Sequence, residues 1–563
     1  NYFKSVFLHY YKMDQTIKNN SIFVNEINQL LHNEGVNKDN RLEYIMDIMN
    51  HYIYKKELKV NVPKNVLDEI ISLIDSISIN KNEISQILFM FYCDKKVKLD
   101  LDQFYTPFTI CDFICKLMVP GKKVIDPACG TGDLVKTYSG MITLWDINEN
   151  VLDICKENYK LNNKDCIIGN YNSILKHKLK NNSYDYCCLN PPFGSSTVIK
   201  DKEILDKYQL GKDKDSQEIG ILFIERAMNL LTKNGIAFII IPNGYLGNTT
   251  KKYLELRDYM IKFKIIAIIE LPPNSFARSG TGISTSLIII QKKKMKTNYD
   301  IYIKSIMNIG YILNKKNTPY KYKKNNGEYI LIDNKPVLDN DLELCLAELK
   351  VFAHKKNIDE LNKTFDEDVS FEKLNTKNIE SNILDINRYT NIYKNTLDNC
   401  VKNSYLEVSH YVDHNPEYKF VISKQEEYLY LDIKQITTPI YARTNYLYGY
   451  ELPSRAKISL KKNDIILSKL KGKLTFTVIL SDDKNIVCSN GFSLLRPKNY
   501  DSIIIILANL FQKEFEIQHN SLCTGSIMAS LGDDTIKKIL INPNINTEKY
   551  ENIINALKLI NSI

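Results

Sequence analysis

The sequence predicts an α/β protein: a doubly wound domain with a mainly parallel sheet over about 99–300, a helical domain before it and an α+β domain after it. Three observations carry this. Short aliphatic runs at Lys123 to Asp126, Ile142 to Trp145, Tyr184 to Leu189, Ile236 to Ile241, Ile265 to Ile269 and Ser286 to Ile290 alternate with helical segments, as parallel strands joined by crossovers do. Ahead of them Val66, Ile70, Ile71, Ile74 and then Ile84, Ile87, Leu88, Phe91 recur at helical spacing, which assigns 1–98 to helices. Beyond Ile383 the strand-like runs are irregular and one late helical pattern spans Ser502 to Phe515, which gives an α+β domain over 383–563. Between them, 301–382 reads as a connecting segment with helices, Lys/Asn-rich from Lys315 to Asn326 and helical from Asp339 to Asn362.

Length and composition set the outer bounds. At 563 residues the chain is too long for one core, since domains average about 100–200 residues. A hydrophobic share of 44% with 25% charged residues excludes a disordered tail or fibre. No apolar run reaches the ~18 residues of a membrane span, and the N-terminus lacks a signal-peptide pattern, so a soluble cytoplasmic protein with no membrane partner is expected. Its 12 cysteines are scattered, without Cys-x-x-Cys or a histidine at metal spacing, which predicts free thiols in a reducing compartment and no metal site. Seventy-five Lys and Arg against 66 Asp and Glu give +9, which permits an anionic partner without requiring one.

The chemistry begins at Asp126-Pro127-Ala128-Cys129-Gly130-Thr131-Gly132, a carboxylate at the end of a buried strand followed by a glycine turn into a helix. Glycines there let the backbone approach a ligand that a Cβ would exclude. Twenty residues on, the next strand ends at Asp146-Ile147, where the carboxylate can accept both hydrogen bonds of a ribose diol. The pair implies a nucleoside-bearing cofactor. The loop is not Gly-x-Gly-x-x-Gly and is acidic, which disfavours a pyrophosphate and suits the amino group and sulfonium of S-adenosylmethionine.

Asn190-Pro191-Pro192-Phe193 follows the strand Tyr184 to Leu189. An adenine N6 amine is a poor nucleophile because its lone pair is conjugated into the ring. Acceptors at the Asn190 amide oxygen and the Pro191 carbonyl would draw its nitrogen toward tetrahedral geometry. Pro192 stiffens the loop, and Phe193 offers a stacking face for a base rotated out of the duplex. Asn-Pro-Pro is also an ordinary turn, and it gains weight only from its place after the cofactor loop.

On these residues the chain resembles the amino-type, gamma-class DNA N6-adenine methyltransferases, closest to the methylation subunits of type I restriction-modification systems. The likeness covers about 100–291 and includes Gln103 to Pro107, Asp126 to Gly132, Asp146, Asn190 to Phe193, Gly235 to Gly244 and Leu271 to Thr285. It implies a Rossmann-like methyltransferase domain with a seven-stranded sheet. It further implies that Tyr105, Thr106 and Pro107 close over the methionine end of S-adenosylmethionine. Where such enzymes usually carry an Asp for the cofactor adenine, this chain reads Gly169-Asn170-Tyr171-Asn172, and Asn172 can accept through its amide oxygen. Phe276 is a candidate second aromatic wall for the flipped base, with core packing the equal alternative.

The C-terminal part resembles, more loosely over 385–550, a target-recognition domain of a type I specificity subunit, through Asn463 to Ser468, Val487 to Pro497 and Thr524-Gly525 to Leu531. Arg455, Lys457, Lys461, Lys462, Lys469, Lys471 and Lys473 stand against the single acid Asp464, a density suited to phosphate contacts beside Ser468, Thr524 and Gly525. The resemblance implies double-stranded DNA as substrate and a separate restriction endonuclease as companion, and leaves monomer and homodimer open. Rival readings are methylation of cytosine N4 or another amino group, a DNA-binding scaffold without turnover, and an added nuclease built on Asp47, Glu57 and Lys59. Helical apolar spacing around those three residues argues against the nuclease.

Overall fold

The computed structural model describes residues 24–76, 106–175, 181–192, 197–276, 282–313, 320–333, 335–366, 368–413, 421–438, 441–442, 445–472, 474–481, 483, 485–525 and 529–552. The chain divides into two compact units, Asn1–Leu384 and Asp385–Ile563.

The first unit is organised by one sheet. Its strands are β1 (Lys123–Asp126), β2 (Met141–Asp146), β3 (Ile167–Asn170), β4 (Tyr184–Leu189), β5 (Leu231–Pro242), β6 (Lys264–Glu270), β7 (Thr285–Gln291), β8 (Asp300–Ser305) and β9 (Lys373–Asn375). They lie in the order β9-β8-β6-β7-β5-β4-β1-β2-β3. The run from β5 to β3 is parallel, and β7 enters antiparallel between β5 and β6. Residues 236–242 of β5 and 264–269 of β6 are buried without a break, because helices cover both faces and leave no solvent side to alternate toward.

Seven of these strands, β1 to β7, lie within 99–300, the number expected there, and β8 and β9 extend the same sheet. β8 pairs parallel with β6 and β9 antiparallel with β8, so the stretch 301–382 adds strands to this sheet instead of bridging out of it. Helix Leu342–Lys355 buries Leu342, Cys345, Leu349 and Phe352 in the same apolar core as Tyr302 of β8.

Among the described N-terminal residues, helices at 24–33, Arg41–Tyr54 and Lys64–Ser76 surround Ile27, Leu31, Ile45, Ile48, Ile70 and Ile74. That cluster includes Val151 and Ile154 of helix Glu149–Leu161, which follows Asp146, so the bundle shares its core with a helix of the sheet-containing part. Ile84, Ile87, Leu88 and Phe91 lie outside the described residues. Asp47 accepts backbone hydrogens from Lys59 (2.6 Å) and Val60 (2.9 Å), and Glu57 is exposed. The Asp47 carboxylate thus pins the turn that follows its own helix.

The second unit is α+β. A four-stranded sheet orders Asn445–Tyr448, Glu427–Leu431, Ile486–Ser489 and Ala456–Leu460, and a three-stranded one orders Phe476–Val478, Ile465–Ser468 and Phe492–Leu495. The expected late helix is two, Tyr500–Leu510 and Lys513–Leu522, divided at Phe511-Gln512. Among the described residues no helix is long and apolar enough to cross a membrane.

Candidate functional site

The loops that carry the sequence motifs leave the same edge of the sheet, the carboxyl ends of β1, β2, β3 and β4. Asp126 is in register with Leu144 of β2, and Asp146 with Asn170 of β3. Open α/β sheets bind ligands along this edge. Asp126 Oδ1 accepts from the Ala128 amide (3.1 Å), Asp146 Oδ2 from the Gly130 amide (2.9 Å) and Asp146 Oδ1 from the Asn148 amide (2.9 Å). The two acids therefore hold the glycine loop against the sheet.

Both glycines adopt positive φ, for different reasons. At Gly132 (φ +80°) a Cβ would sit 2.6 Å from Cys155 Sγ and 2.7 Å from the Tyr159 ring, so helix Glu149–Leu161 packs directly on the backbone. At Gly130 (φ +53°) a Cβ would meet nothing within 4 Å. Gly130 faces open space and Gly132 faces the core. Thr131, expected beside the cofactor, turns its hydroxyl inward to Asp133 Oδ2 (2.6 Å), while Lys136 Nζ reaches Asp133 Oδ1 (2.9 Å) and Asn158 Nδ2 reaches the Thr131 carbonyl (2.9 Å). This buried network braces the loop from behind.

Burial pushes the Asp126 carboxyl up to about 8, opposed by the Ala128 amide and reinforced by Asp146. Burial also raises Asp146, against the amides of Asn148, Gly130 and Ile147. Neither acid has an ion-pair partner among the described residues. Ile147, next to Asp146, leaves 53% of its surface exposed. Two buried acids lacking a cation, an open glycine face and an exposed aliphatic side chain fit a positively charged nucleoside ligand.

Asn172 spends its amide oxygen on the Ile174 amide (3.1 Å), which leaves one lone pair for the adenine contact expected of it. Its loop is held by two residues the sequence reading did not assign: Arg226 Nε donates to the Ser173 carbonyl (2.9 Å) and Tyr208 Oη to the Ile174 carbonyl (2.6 Å). Neither carries a local motif.

Asn190 stands where β4 ends, on the strand next to β1. Its Nδ2 donates to Thr106 Oγ1 (3.0 Å), and its Oδ1 is buried with no hydrogen-bond partner among the described residues. Leaving such an acceptor unmade costs about 1–3 kcal/mol, and Thr137 Oγ1, Ser173 Oγ, Thr285 Oγ1 and Gln291 Oε1 share that state among the described residues. Pro191 is buried and Pro192 half-buried; Tyr105 and Phe193 lie outside the described residues. Pro107 is buried and precedes helix Phe108–Leu117. Phe276 is corrected: fully buried in the main core with Leu271, Ile269 and Ile306, it has no face to offer DNA, because the apolar interior captures the ring.

In the second unit Arg455, Lys457, Lys461, Lys462 and Lys471 are exposed. Arg455 is bonded to Tyr430 and Asp432, and Lys469 to Asp533 (2.8 Å). Ser468 is buried, its Oγ accepting from the Leu470 amide (3.2 Å), so it shapes the turn and is not a surface contact. Thr524 bridges to Ser530, Gly525 has φ +131°, and Lys473 is outside the described residues.

Residues 86–389, just over half of the chain, match the family described as N-6 DNA Methylase. The type I restriction enzyme EcoEI methylase subunit of Escherichia coli is 24% identical over 213 residues, 34% of this chain and 42% of that protein. Modification methylase CviBIII of Paramecium bursaria Chlorella virus NC1A is 24% identical over 220 residues, 37% of this chain and 55% of that protein. The chain thus spans about half the length of these relatives. Among solved structures, the type IIG restriction endonuclease BpuSI aligns with 97% of this chain and 72% of its own, at 12% identity and a TM-score of 0.47.

Proposed function

Since the chain belongs to the N-6 DNA methylase family, we propose that it transfers a methyl group from S-adenosylmethionine to the N6 amine of an adenine rotated out of double-stranded DNA. The relatives' names, a restriction enzyme's methylase subunit and a modification methylase, support a restriction-modification setting. The second unit is the part we assign to sequence recognition, with Arg455, Lys457 and Lys471 as phosphate contacts. The observation that carries the proposal is the buried, unpartnered Asn190 Oδ1 at the edge shared with the Asp126 loop.

When bound, S-adenosylmethionine supplies an electrophilic methyl group. The residues that would hold it are Asp146 for the ribose hydroxyls, Gly130 for close backbone approach, Ile147 and Asn172 for the adenine, and Asp126 for the cationic end. Asn190 Oδ1 and the Pro191 carbonyl accept the two hydrogens of the target amine. This localises the nitrogen lone pair for attack, and the spare proton then passes to solvent. The pocket need not bind a duplex base in place, because an extruded base presents its Watson–Crick edge freely.

The test is methyl transfer from radiolabelled S-adenosylmethionine to genomic DNA, followed by nucleoside analysis. Label in N6-methyladenine with wild type and none with Asn190→Ala is expected. Label in N4-methylcytosine would overturn the choice of adenine, and equal incorporation by both proteins would remove Asn190 from the chemistry.

A further inference from the structure

We infer that Thr106 is a positioning residue for Asn190: by accepting from Nδ2, its hydroxyl holds the Asn190 carboxamide in place with Oδ1 left for the substrate amine. The inference rests on Asn190 being the amine acceptor. A carboxamide is nearly symmetric in shape but opposite in polarity, so turning it over replaces an acceptor by a donor. Presented to an exocyclic amine, the wrong face sets N–H against N–H. The contact of Asn190 Nδ2 with Thr106 Oγ1 (3.0 Å) occupies the donor end and leaves Oδ1 as the buried, unpartnered end.

Thr106 is itself held firmly. It is 6% exposed, and its carbonyl accepts from Cys111 Sγ (3.6 Å) in helix Phe108–Leu117. That helix starts on the Pro107 carbonyl, which receives the Ile110 and Cys111 amides (3.0 and 3.2 Å), and Thr109 Oγ1 ties it to the Ile309 carbonyl (2.7 Å). The Thr106 hydroxyl therefore stands at the mouth of a fixed helix, 84 residues away in sequence from the side chain it orients. A role confined to the cofactor's methionine end would leave the Asn190 amide without a brace.

The experiment compares Thr106→Val, which keeps shape and removes the hydroxyl, with Thr106→Ser, which keeps the hydroxyl and removes the methyl group. Steady-state methyl transfer is measured with full-length protein, DNA and S-adenosylmethionine, alongside thermal unfolding. For Thr106→Val we expect kcat lower by about tenfold to a hundredfold, the scale of a misplaced reacting group. KM for both substrates should stay near wild type, and Thr106→Ser should recover most of the rate. Wild-type kcat in Thr106→Val would overturn the inference. So would a rise confined to the cofactor KM, or an equal loss in Thr106→Ser. If Thr106→Val does not fold, Thr106→Ser decides, since loss of its rate would refute the role of the hydroxyl. Absence of DNA methylation by wild type would instead sink the proposed function, and this inference with it.

Discussion

Replacing each glycine of the 130–132 loop by alanine separates what the fold needs from what the proposed ligand needs. Gly132→Ala places a Cβ in the left-handed region, at a cost of ~1–2 kcal/mol, and drives it to 2.6 Å from Cys155 Sγ and 2.7 Å from the Tyr159 ring. Overpacking of a filled core adds ~1–3 kcal/mol, and after the roughly 0.4–1 kcal/mol that alanine recovers by restricting the unfolded chain the net loss is about 1–5 kcal/mol. Tyr159 cannot simply swing away, because its hydroxyl donates to the Gly132 carbonyl (3.0 Å). Gly130→Ala has the same backbone strain but meets nothing within 4 Å, and alanine recovers about 0.4–1 kcal/mol by restricting the unfolded chain. Urea unfolding should therefore show a large loss for Gly132→Ala and a net change of at most about 1–2 kcal/mol for Gly130→Ala. Calorimetric titration with S-adenosylmethionine should show weakened binding for Gly130→Ala despite its intact fold. Equal destabilisation of the two variants would refute the packing argument, and wild-type affinity in Gly130→Ala would refute the open face of Gly130 as the cofactor's cradle.

The Asp126 carboxyl is held near 8 in the fold, above its unfolded value, so between about pH 4 and 8 the folded state binds more protons and stability falls as pH rises. Asp126→Asn should flatten that slope in ligand-free unfolding curves, and wild-type affinity for a cationic cofactor should rise with pH through the same window. Phe276→Ala should lower stability by about 3–5 kcal/mol as a lost core ring, with the DNA dissociation constant of the folded fraction unchanged in filter binding. In the second unit, Arg496 donates twice to buried Asp464 (2.8 and 2.9 Å), and Arg496→Met should cost about 3–5 kcal/mol in thermal unfolding by stranding that acid. An unchanged melting temperature there would show that water reaches Asp464.

Much of the site is legible in the sequence because its parts are local. A strand of alternating or continuous apolar residues ending in Asp126, Asp146 or Asn190 places each polar group at a sheet edge, whatever the rest of the chain does. The glycines of 130–132 and the prolines of 191–192 announce turns by their own backbone restrictions. The least legible features are those that depend on distant partners. Nothing around Tyr208 or Arg226 marks them as braces of the 172–175 loop. The likeness that placed Thr106 at the cofactor is silent on its bond to Asn190. Phe276 and Ser468 carry residue types equally at home inside or outside, and only their neighbours decide.

By itself, then, the sequence determined the α/β alternation, the order of motifs along one sheet edge and the acidic glycine loop, since periodicity and turn chemistry act over a few residues. Tertiary structure alone decided that 301–382 closes the sheet with two more strands and that the N-terminal helices share a core with Val151 and Ile154. It also decided that the side-chain amide oxygen of Asn190 is buried without a hydrogen-bond partner among the described residues. Burial and hydrogen-bond pairing are properties of what surrounds a group in space, and that is settled only when segments a hundred residues apart pack together.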